Sequence, residues 1–301
     1  MYSVIDIGSN TVRLAVYTYE NGVLSHVFGK KYMAKLIRHV TDGKLSLKAM
    51  ELLRDILLDY KSISDNMNAK SIYAFATASL RCAENCAETL EYIRKTTGIE
   101  IDVISGEEEA RLNFDAVKST FYTSTCLIAD IGGGSSEIIS AENGNIIQYG
   151  SLPAGSLTMY MKYVSGSVPN KNECEIIKNT ILNMLAADYT KRQYHTLIGI
   201  GGSIKHFAKI IKVCGYSAKN GTLPLRDVQK LYTDFAENPT RAAEIIGSVS
   251  PDRLTTVIPG IIIADAICGY FGCNAVKVCY TGVREGYILN KLSKEVMKNA
   301  K

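Results

Sequence analysis

The stretch LIADIGGGSSEII, from Leu127 to Ile139, decides the fold expected for this 301-residue chain. Three glycines between two short apolar runs predict a strand, a tight turn and a returning strand. Successive backbone N–H groups in such a turn can form a concave anion site. Asp130 and Glu137 would lie at its two sides, and paired carboxylates beside an anion site indicate a bridging divalent cation. The alternative is a plain hairpin in which glycine serves only the turn.

A similar stretch lies near the start of the chain: VIDIGSNTVRL, from Val4 to Leu14. It also predicts a strand, an Asp-Ile-Gly turn with small polar residues, and a second strand. Its aspartate, Asp6, precedes Asp130 by 124 positions (130 minus 6), far more than the period of a solenoid repeat. The repeat therefore predicts two similar domains.

A second pair of stretches is repeated as well. Residues 72–81, IYAFATASLR, and residues 197–205, LIGIGGSIK, each predict a strand, a turn of small residues and the start of a helix. Helix N-termini bind anions through their unpaired N–H groups and the helix dipole. Each half of the chain would thus offer two anion-binding loops, which suits a phosphate-rich substrate.

This arrangement resembles the actin-like ATPase superfamily, in which two duplicated domains hold phosphate between hairpin loops. Within it, the chain is similar to the short, two-domain form of the Ppx/GppA family of exopolyphosphatases and guanosine pentaphosphate phosphohydrolases. The motifs that carry the resemblance are, in order, IDIGSNTVRL, FATASLR, VISGEEEARL, IADIGGGSSEI, SLPAGSLTM, IGIGGS and GVREGYIL. They extend from Ile5 to Leu289 and so cover almost the whole chain.

The resemblance implies an α/β fold of two duplicated actin-like ATPase (ribonuclease H-like) domains with an interdomain cleft. We place domain I at residues 1–123 and domain II at residues 124–301, with the C-terminal helix able to pack back on domain I. One departure from the family concerns Arg253, which is kept in the segment before Pro259-Gly260 although the Ala-Asp that follows it in many members is not. A substrate contact from this segment is therefore left open.

The segment SGEEEARL, from Ser105 to Leu112, opens a predicted helix over 107–120. The apolar stripe of that helix is Ala110, Phe114, Val117 and Phe121. At about 100° per residue, Glu108 falls nearly opposite the stripe, Glu107 leans toward it and Glu109 lies at its flank. Spacing alone also fits a capping box between Ser105 and Glu108, in which the acid serves the helix rather than a reaction.

Roles for these acids follow from the resemblance. It implies that Glu108 is the general base, which activates the water that attacks a terminal phosphate. It implies catalytic and Mg²⁺-binding roles for Asp130 and Glu137. Asp6 is a further candidate metal ligand, or a structural aspartate in a tight turn. The residues predicted to hold substrate phosphate are Ser9, Asn10, Thr11, Arg81, Gly132, Gly133, Gly134, Ser135, Gly201, Gly202 and Ser203.

Four other charged residues remain open. Arg13 and Lys205 are either weaker phosphate ligands or solvated surface charges. Arg284 and Glu285 lie in the motif GVREGYIL and either touch substrate or pair structurally across the domain interface.

Composition narrows the class of protein. The chain is 47% apolar and 21% charged, with a net charge of +4, which is ordinary for a globular protein of two domains. It has no dense Lys/Arg cluster for a nucleic acid, no recognisable signal peptide and no apolar stretch long enough for a bilayer. Its eight cysteines lack metal-binding spacing and are expected to be reduced. We therefore expect a cytoplasmic protein that acts on neither membranes nor nucleic acids.

The leading hypothesis is a Mg²⁺-dependent hydrolase that releases terminal phosphate from polyphosphate, from guanosine pentaphosphate, or from both. An alternative enzyme is a small-molecule kinase or ATPase of the same superfamily. A third reading is a sensor that binds polyphosphate or guanosine polyphosphate without turnover. The resemblance also allows a homodimer.

Overall fold

The computed structural model describes residues 1–121, 123–216 and 218–299; of Ser79 and residues 295–299 it describes the backbone alone. In the first part of the chain the strands are β1 (Tyr2–Ile7), β2 (Val12–Glu20), β3 (Val23–Tyr32), β4 (Val40–Thr41), β5 (Lys44–Leu45), β6 (Ser71–Ala76) and β7 (Ile101–Val103). The helices are α1 (Leu47–Asn66), α2 (Ala78–Arg81), α3 (Cys86–Thr97) and α4 (Gly106–Phe121), with a 3₁₀ turn at Leu36–His39.

In the second part the strands are β8 (Cys126–Ile131), β9 (Ser136–Glu142), β10 (Asn145–Leu152), β11 (Thr196–Ile200), β12 (Thr222–Pro224) and β13 (Ala275–Val278). The helices are α5 (Ser156–Tyr163), α6 (Lys171–Asp188), α7 (Gly202–Val213), α8 (Leu225–Glu237), α9 (Pro239–Val249), α10 (Val257–Phe271) and α11 (Val283–Asn299). A second 3₁₀ turn spans Pro251–Arg253.

The chain divides into two compact units. Unit 1 contains residues 1–112 together with α11, and unit 2 contains Asn113–Gly282. This division differs from the predicted boundary at residues 123 and 124 because it falls inside α4, after Leu112. It also groups the C-terminal helix with the first unit; the prediction counts this helix in domain II but allows it to pack back on domain I.

The two units contain sheets of the same plan. Unit 1 has the strand order β3-β2-β1-β6-β7, with the first three strands antiparallel and the last two parallel to β1. Unit 2 has the order β10-β9-β8-β11-β13 in the same senses, and adds β12 antiparallel at the edge. The predicted fold class, two duplicated actin-like α/β domains, is confirmed.

Alternation along the strands gives the sheet of unit 1 two apolar faces, because successive side chains point to opposite sides. Ile5 lies in one apolar cluster with Met50, Leu53 and Leu57 of α1. Its neighbour Val4 lies in the other cluster, with Phe75 of β6 and with Tyr287 and Ile288 of α11. Helix α11 therefore covers one face of this sheet.

Helix α10 forms the centre of unit 2, and all of its residues are buried except Gly269 and Tyr270. The sequence predicts one helix over 251–271, and this is wrong. The chain makes a 3₁₀ turn at Pro251–Arg253 and α10 begins only at Val257. Pro259 explains the start, since proline has no N–H and is tolerated in the first turn of a helix, where N–H groups have no helical partner.

For α6 the sequence predicts a buried face of Ile176, Ile177, Thr180, Ile181 and Met184, and this needs correction. Ile177 and Ile181 are buried as expected, but Ile176 is exposed and Cys174 and Leu185 complete the face. Along the described residues, no helix combines the length and the apolar character needed to cross a membrane.

Candidate functional site

The hairpin of β8 and β9 contains the triple glycine and closes tightly. Asp130 pairs directly opposite Glu137, and the Gly132 N–H donates to the Ser135 carbonyl at 3.0 Å. The turn is held from behind by the start of α5. There the N–H of Ser156 donates to the Gly132 carbonyl at 2.9 Å, and that of Leu157 donates to the Gly133 carbonyl at 2.9 Å.

Glycine at position 155 makes this close packing feasible. A Cβ there would lie 2.4 Å from the carbonyl carbon of Gly133 and 2.5 Å from the nitrogen of Gly134. The N–H groups that begin α5 are therefore used by the turn itself. They stabilise the conformation of the loop that is predicted to hold phosphate.

The two carboxylates of this hairpin are positioned by neutral donors. Glu137 is 2% exposed, and its Oε1 accepts hydrogen bonds from Ser135 Oγ and Ser151 Oγ, each at 2.8 Å. Asp130 Oδ2 accepts a hydrogen bond from Asn113 Nδ2 at 3.0 Å. Like charges directly opposite each other on neighbouring strands are destabilising. A cation between them would remove that penalty.

The donor set fits Mg²⁺, which takes oxygen ligands and commonly binds through one or two carboxylates while its other ligands are water and phosphate oxygens. Asp130 and Glu137 supply such a pair. Within the described ranges, no three His, Cys, Asp or Glu residues are grouped as a metal site.

The turn between β11 and α7 adjoins the glycine hairpin. Gly201 has φ +101°, and a Cβ on it would lie 2.5 Å from the Ile131 carbonyl oxygen and 3.3 Å from Asp130 Oδ1. The two predicted anion loops of unit 2 thus meet at Asp130. Ser203 is turned away, however, since its Oγ donates to the Thr256 carbonyl at 3.1 Å in a buried position.

Arg253 lies against the same turn. A Cβ on Gly202 would lie 2.5 Å from Arg253 Nη2, and the arginine is itself buried. Its segment is left open by the sequence, and the structure places the guanidinium beside a predicted phosphate loop. Lys205 is directed elsewhere: its Nζ donates to the Tyr280 carbonyl at 3.0 Å and lies 5.7 Å from the centre of the Tyr280 ring.

In unit 1 the β1–β2 hairpin closes like its counterpart, with the Gly8 N–H donating to the Thr11 carbonyl at 3.0 Å. The carbonyls of Ser9 and Asn10 accept from the N–H groups of Ile37 and Lys35 at 3.1 and 2.9 Å. Ser9, Asn10 and Thr11 are all buried, and Thr11 Oγ1 donates to the Met33 sulfur at 3.7 Å. The backbone of this loop is therefore fixed by the segment that follows β3.

Asp6 has cationic neighbours. It pairs directly opposite Arg13, and Arg284 Nε lies 3.7 Å from Asp6 Oδ2. Glu285 accepts a hydrogen bond from Tyr17 Oη at 2.6 Å. Burial raises the pKa of Tyr17, and the Glu285 carboxylate raises it further. Arg284 and Glu285 thus make structural pairs within unit 1, and the pairing favours the structural reading of Asp6.

The acid cluster at the start of α4 is oriented differently from the prediction. Glu107 is exposed, Glu108 is half-buried and Glu109 is buried. Glu109 Oε2 forms an ion pair with Arg81 Nη1 at 3.2 Å, and Arg81 Nη1 also donates to the Ile104 carbonyl at 3.0 Å. The helical wheel places Glu109 at the flank of the stripe. A wheel describes one helix alone, so it does not include Arg81, the cation that α2 supplies.

Glu108 keeps both of its predicted roles open. Ser105 Oγ accepts a hydrogen bond from its backbone N–H at 3.1 Å, which is one half of a capping box. Its carboxylate contributes to a raised pKa of Tyr287, of which burial is the main cause and the hydrogen bond to Asp102 the next. The N-terminal turn of α4 thus receives its cap from Ser105, and the acid side chain is half-buried.

Sequence reasoning missed Asn113 and Ser151, which hold the two carboxylates of unit 2. Ser151 lies in the motif SLPAGSLTM, which the resemblance already includes, so a β10 pairing register could have found it. Asn113 had no such signal, since it is a polar residue in the middle of an amphipathic helix.

Comparison with known proteins finds a matching family model, related proteins and solved structures. A family model described as the Ppx/GppA phosphatase family matches residues 15–295. Exopolyphosphatase 1 of Mycobacterium tuberculosis is 27% identical over 97% of this chain and 88% of its own length. Guanosine-5'-triphosphate,3'-diphosphate pyrophosphatase of Pseudoalteromonas translucida is also 27% identical, and the match covers 97% of this chain but 59% of that protein.

Solved structures agree in fold. The crystal structure of the Aquifex aeolicus member of the Ppx/GppA protein family has a TM-score of 0.82 and 26% identity, and the match covers 98% of both chains. An exopolyphosphatase from Cytophaga hutchinsonii has the same TM-score of 0.82 at 22% identity, over 97% of this chain and 98% of that one. The second likeness concerns the fold alone.

Proposed function

Because the chain belongs to the Ppx/GppA phosphatase family, we propose that it is a metal-dependent phosphoanhydride hydrolase that releases terminal phosphate from inorganic polyphosphate, guanosine pentaphosphate or both. The names of two relatives support the substrate class, since one is an exopolyphosphatase and the other a guanosine-5'-triphosphate,3'-diphosphate pyrophosphatase. Both of the proposed substrates end in a phosphoanhydride. The cytoplasmic location and the homodimer stay predictions.

The observation that carries the proposal is the pairing of Asp130 with Glu137 beside the glycine turn. Two carboxylates placed opposite each other, one of them almost fully buried, repel each other less when a cation lies between them. A Mg²⁺ ion held by them would neutralise charge on the phosphate oxygens during transfer. Asp130 and Glu137 are the proposed ligands, and Ser135, Ser151 and Asn113 orient them.

Backbone groups supply the other part of the proposal. The turn at Gly132 to Gly134 and the turn at Gly201 would bind phosphate oxygens through N–H groups, as glycine-rich turns do. Ser203 is better assigned to fixing the second turn, because its hydroxyl bonds to Thr256. In unit 1, the loop at Ser9 and Asn10 is a proposed phosphate contact of the same kind. Arg81 is a further proposed contact, through its guanidinium.

Glu108 is proposed as the general base. It would take a proton from the attacking water, and a base of this kind contributes about 10²- to 10⁴-fold to a rate. Its half-buried position supports this role over exposed Glu107 and over Glu109, which is already engaged with Arg81. Glu108 belongs to unit 1 and the carboxylate pair to unit 2, so each assignment is tested by its own variant.

The experiment is phosphate release by the purified protein from medium-chain polyphosphate and from guanosine pentaphosphate, side by side, with Mg²⁺ and with a chelator. We expect release from at least one substrate and loss of release with the chelator. The ratio of the two rates identifies the preferred substrate. Release that persists without divalent cations contradicts the metal, and tight binding without release supports a sensor. Transfer of phosphate from ATP to a small acceptor supports a kinase.

A further inference from the structure

Asn113 occupies an unusual place in α4. Its side chain is completely buried, and its Nδ2 donates to Asp130 Oδ2 at 3.0 Å. Its Oδ1 is buried too and has no hydrogen-bond partner within the described part of the chain. The neighbours of Asn113 on the helix, Leu112 and Phe114, are apolar and buried. A polar residue is thus kept at a position that an apolar one would fill.

Stability does not explain the choice of asparagine. A buried carbonyl without a partner loses its hydration and gains nothing in return. Leucine has the same branched shape, is somewhat larger, and would bring no such penalty. Buried unsatisfied groups in native proteins call for an explanation, and the side-chain hydrogen bond of Asn113 leads to Asp130.

The chemistry of the donor is also informative. An amide N–H fixes the rotation of a carboxylate but leaves its negative charge intact. Asp6, at the matching position of unit 1, is approached by the guanidinium of Arg284 at 3.7 Å, and a guanidinium offsets the charge of a carboxylate. A neutral donor is the appropriate choice where the carboxylate must still attract a cation.

We propose that Asn113 is a positioning residue, which orients the Asp130 carboxylate for a divalent cation shared with Glu137. This inference rests on the proposed function, because it assumes the metal site. Glycine at position 282 contributes space for the amide, since a Cβ there would lie 3.3 Å from Asn113 Oδ1 and 3.0 Å from Ile200 Cγ2.

The test compares Asn113→Leu with Asp130→Asn and with the control Thr120→Val, which removes a hydroxyl from the same helix away from Asp130. The probe is Mn²⁺ alone, whose free concentration is read from its paramagnetic resonance signal. We expect Asn113→Leu to weaken Mn²⁺ binding about 10- to 100-fold, the range for residues that orient metal ligands. Its thermal midpoint should stay at or above the wild-type value, and the control should bind Mn²⁺ normally.

The outcomes separate the two proposals. Normal Mn²⁺ affinity in Asn113→Leu, with affinity lost in Asp130→Asn, overturns the positioning role and leaves the metal site standing. Wild-type protein that binds no Mn²⁺, or Asp130→Asn that binds it normally, overturns both. If Asn113→Leu unfolds at a much lower temperature than wild type, the residue is structural and the inference is wrong. A second readout, the Mg²⁺ concentration for half-maximal phosphate release, should rise in parallel with the Mn²⁺ affinity loss.

Discussion

The β1–β2 hairpin of unit 1 and the β8–β9 hairpin of unit 2 close with the same hydrogen bond yet place different charges at the same position. Gly8 bonds to Thr11, and Gly132 bonds to Ser135, each at 3.0 Å. The aspartate two residues before each glycine then faces Arg13 in unit 1 and Glu137 in unit 2. The duplicated hairpins therefore place opposite charges across the two strands in one copy and like charges in the other.

The groups that support the two turns differ as well. In unit 1 the turn is backed by the extended segment around Lys35, and Asp6 is approached by Arg284. In unit 2 the turn is backed by the first N–H groups of α5, and Asp130 is held by an amide. The first turn thus has a guanidinium beside its aspartate, and the second has an amide donor beside its own.

The largest expected effect is that of Asp130→Asn, compared with Asp6→Asn. Removing Asp130 should lower the rate of phosphate release about a thousandfold, equivalent to about 4 kcal/mol of transition-state stabilisation. Asp6→Asn should lower the rate far less and should lower stability by about 1 kcal/mol, because Arg284 loses its partner. Rates and chemical unfolding of both variants check this. Equal losses of rate in the two variants would contradict the difference between the hairpins and would support Asp6 as a metal ligand.

Glu108→Gln tests whether the cation site and the base are separate. We expect loss of phosphate release by about 10²- to 10⁴-fold with an unchanged Mg²⁺ dependence, since the base acts on water. Glu107→Gln is the matched control, because that neighbour is exposed. Steady-state rates over a range of Mg²⁺ concentrations give both quantities. A Glu108 variant with near-normal turnover would leave the residue with its capping role alone.

Glu137→Gln should lower the rate of phosphate release and raise the stability of the metal-free protein. Without divalent cations, the neutral amide removes the repulsion with Asp130, so the protein should be stabilised by about 0.5 kcal/mol. Phosphate release should fall about a hundredfold, because the cation loses one charged ligand. Thermal unfolding in chelator, together with phosphate release in Mg²⁺, measures the two effects. A lower midpoint in chelator would mean that the two carboxylates do not repel each other in the folded protein.

The last comparison concerns the supports of the two turns, where we expect changes in stability. Gly155→Ala should destabilise the protein by about 2–3 kcal/mol, because its Cβ meets the backbone of Gly133 and Gly134, which cannot move aside cheaply. Gly8→Ala should cost less than about 1 kcal/mol, since its Cβ would lie 3.3 Å from the Thr11 carbonyl oxygen. Chemical denaturation of both variants gives the two values. A reversed order would show that α5 is not a tight support.

The sequence predicts what is local and repeated. The hairpins, the strand-to-helix turns and the duplication follow from glycine positions and apolar runs within about a dozen residues. The C′ glycine of α3, Gly98, follows in the same way and has the left-handed φ of 72°. Such features depend on backbone conformations that few residues adopt.

Contacts between distant elements were not predictable in this way. Arg81 meets Glu109 from another helix, and Asn113 meets Asp130 from a neighbouring strand. A helical wheel describes the apolar stripe of one helix and says nothing about a cation or carboxylate brought beside it. For this reason the orientation predicted for Glu107 and Glu109 was wrong, and Asn113 was overlooked.

The joining of α11 to unit 1 has a consequence for synthesis of the chain. Unit 2 is one continuous segment, whereas the sheet of unit 1 needs Tyr287 and Ile288 to cover Val4 and Phe75. A ribosome makes residues 113–282 before it makes that cover, so a nascent unit 1 keeps an apolar face open while unit 2 can already be folding. A chain truncated near Gly282 would contain unit 2 complete and unit 1 with an exposed apolar face. Such a chain would be a target for chaperones and proteases.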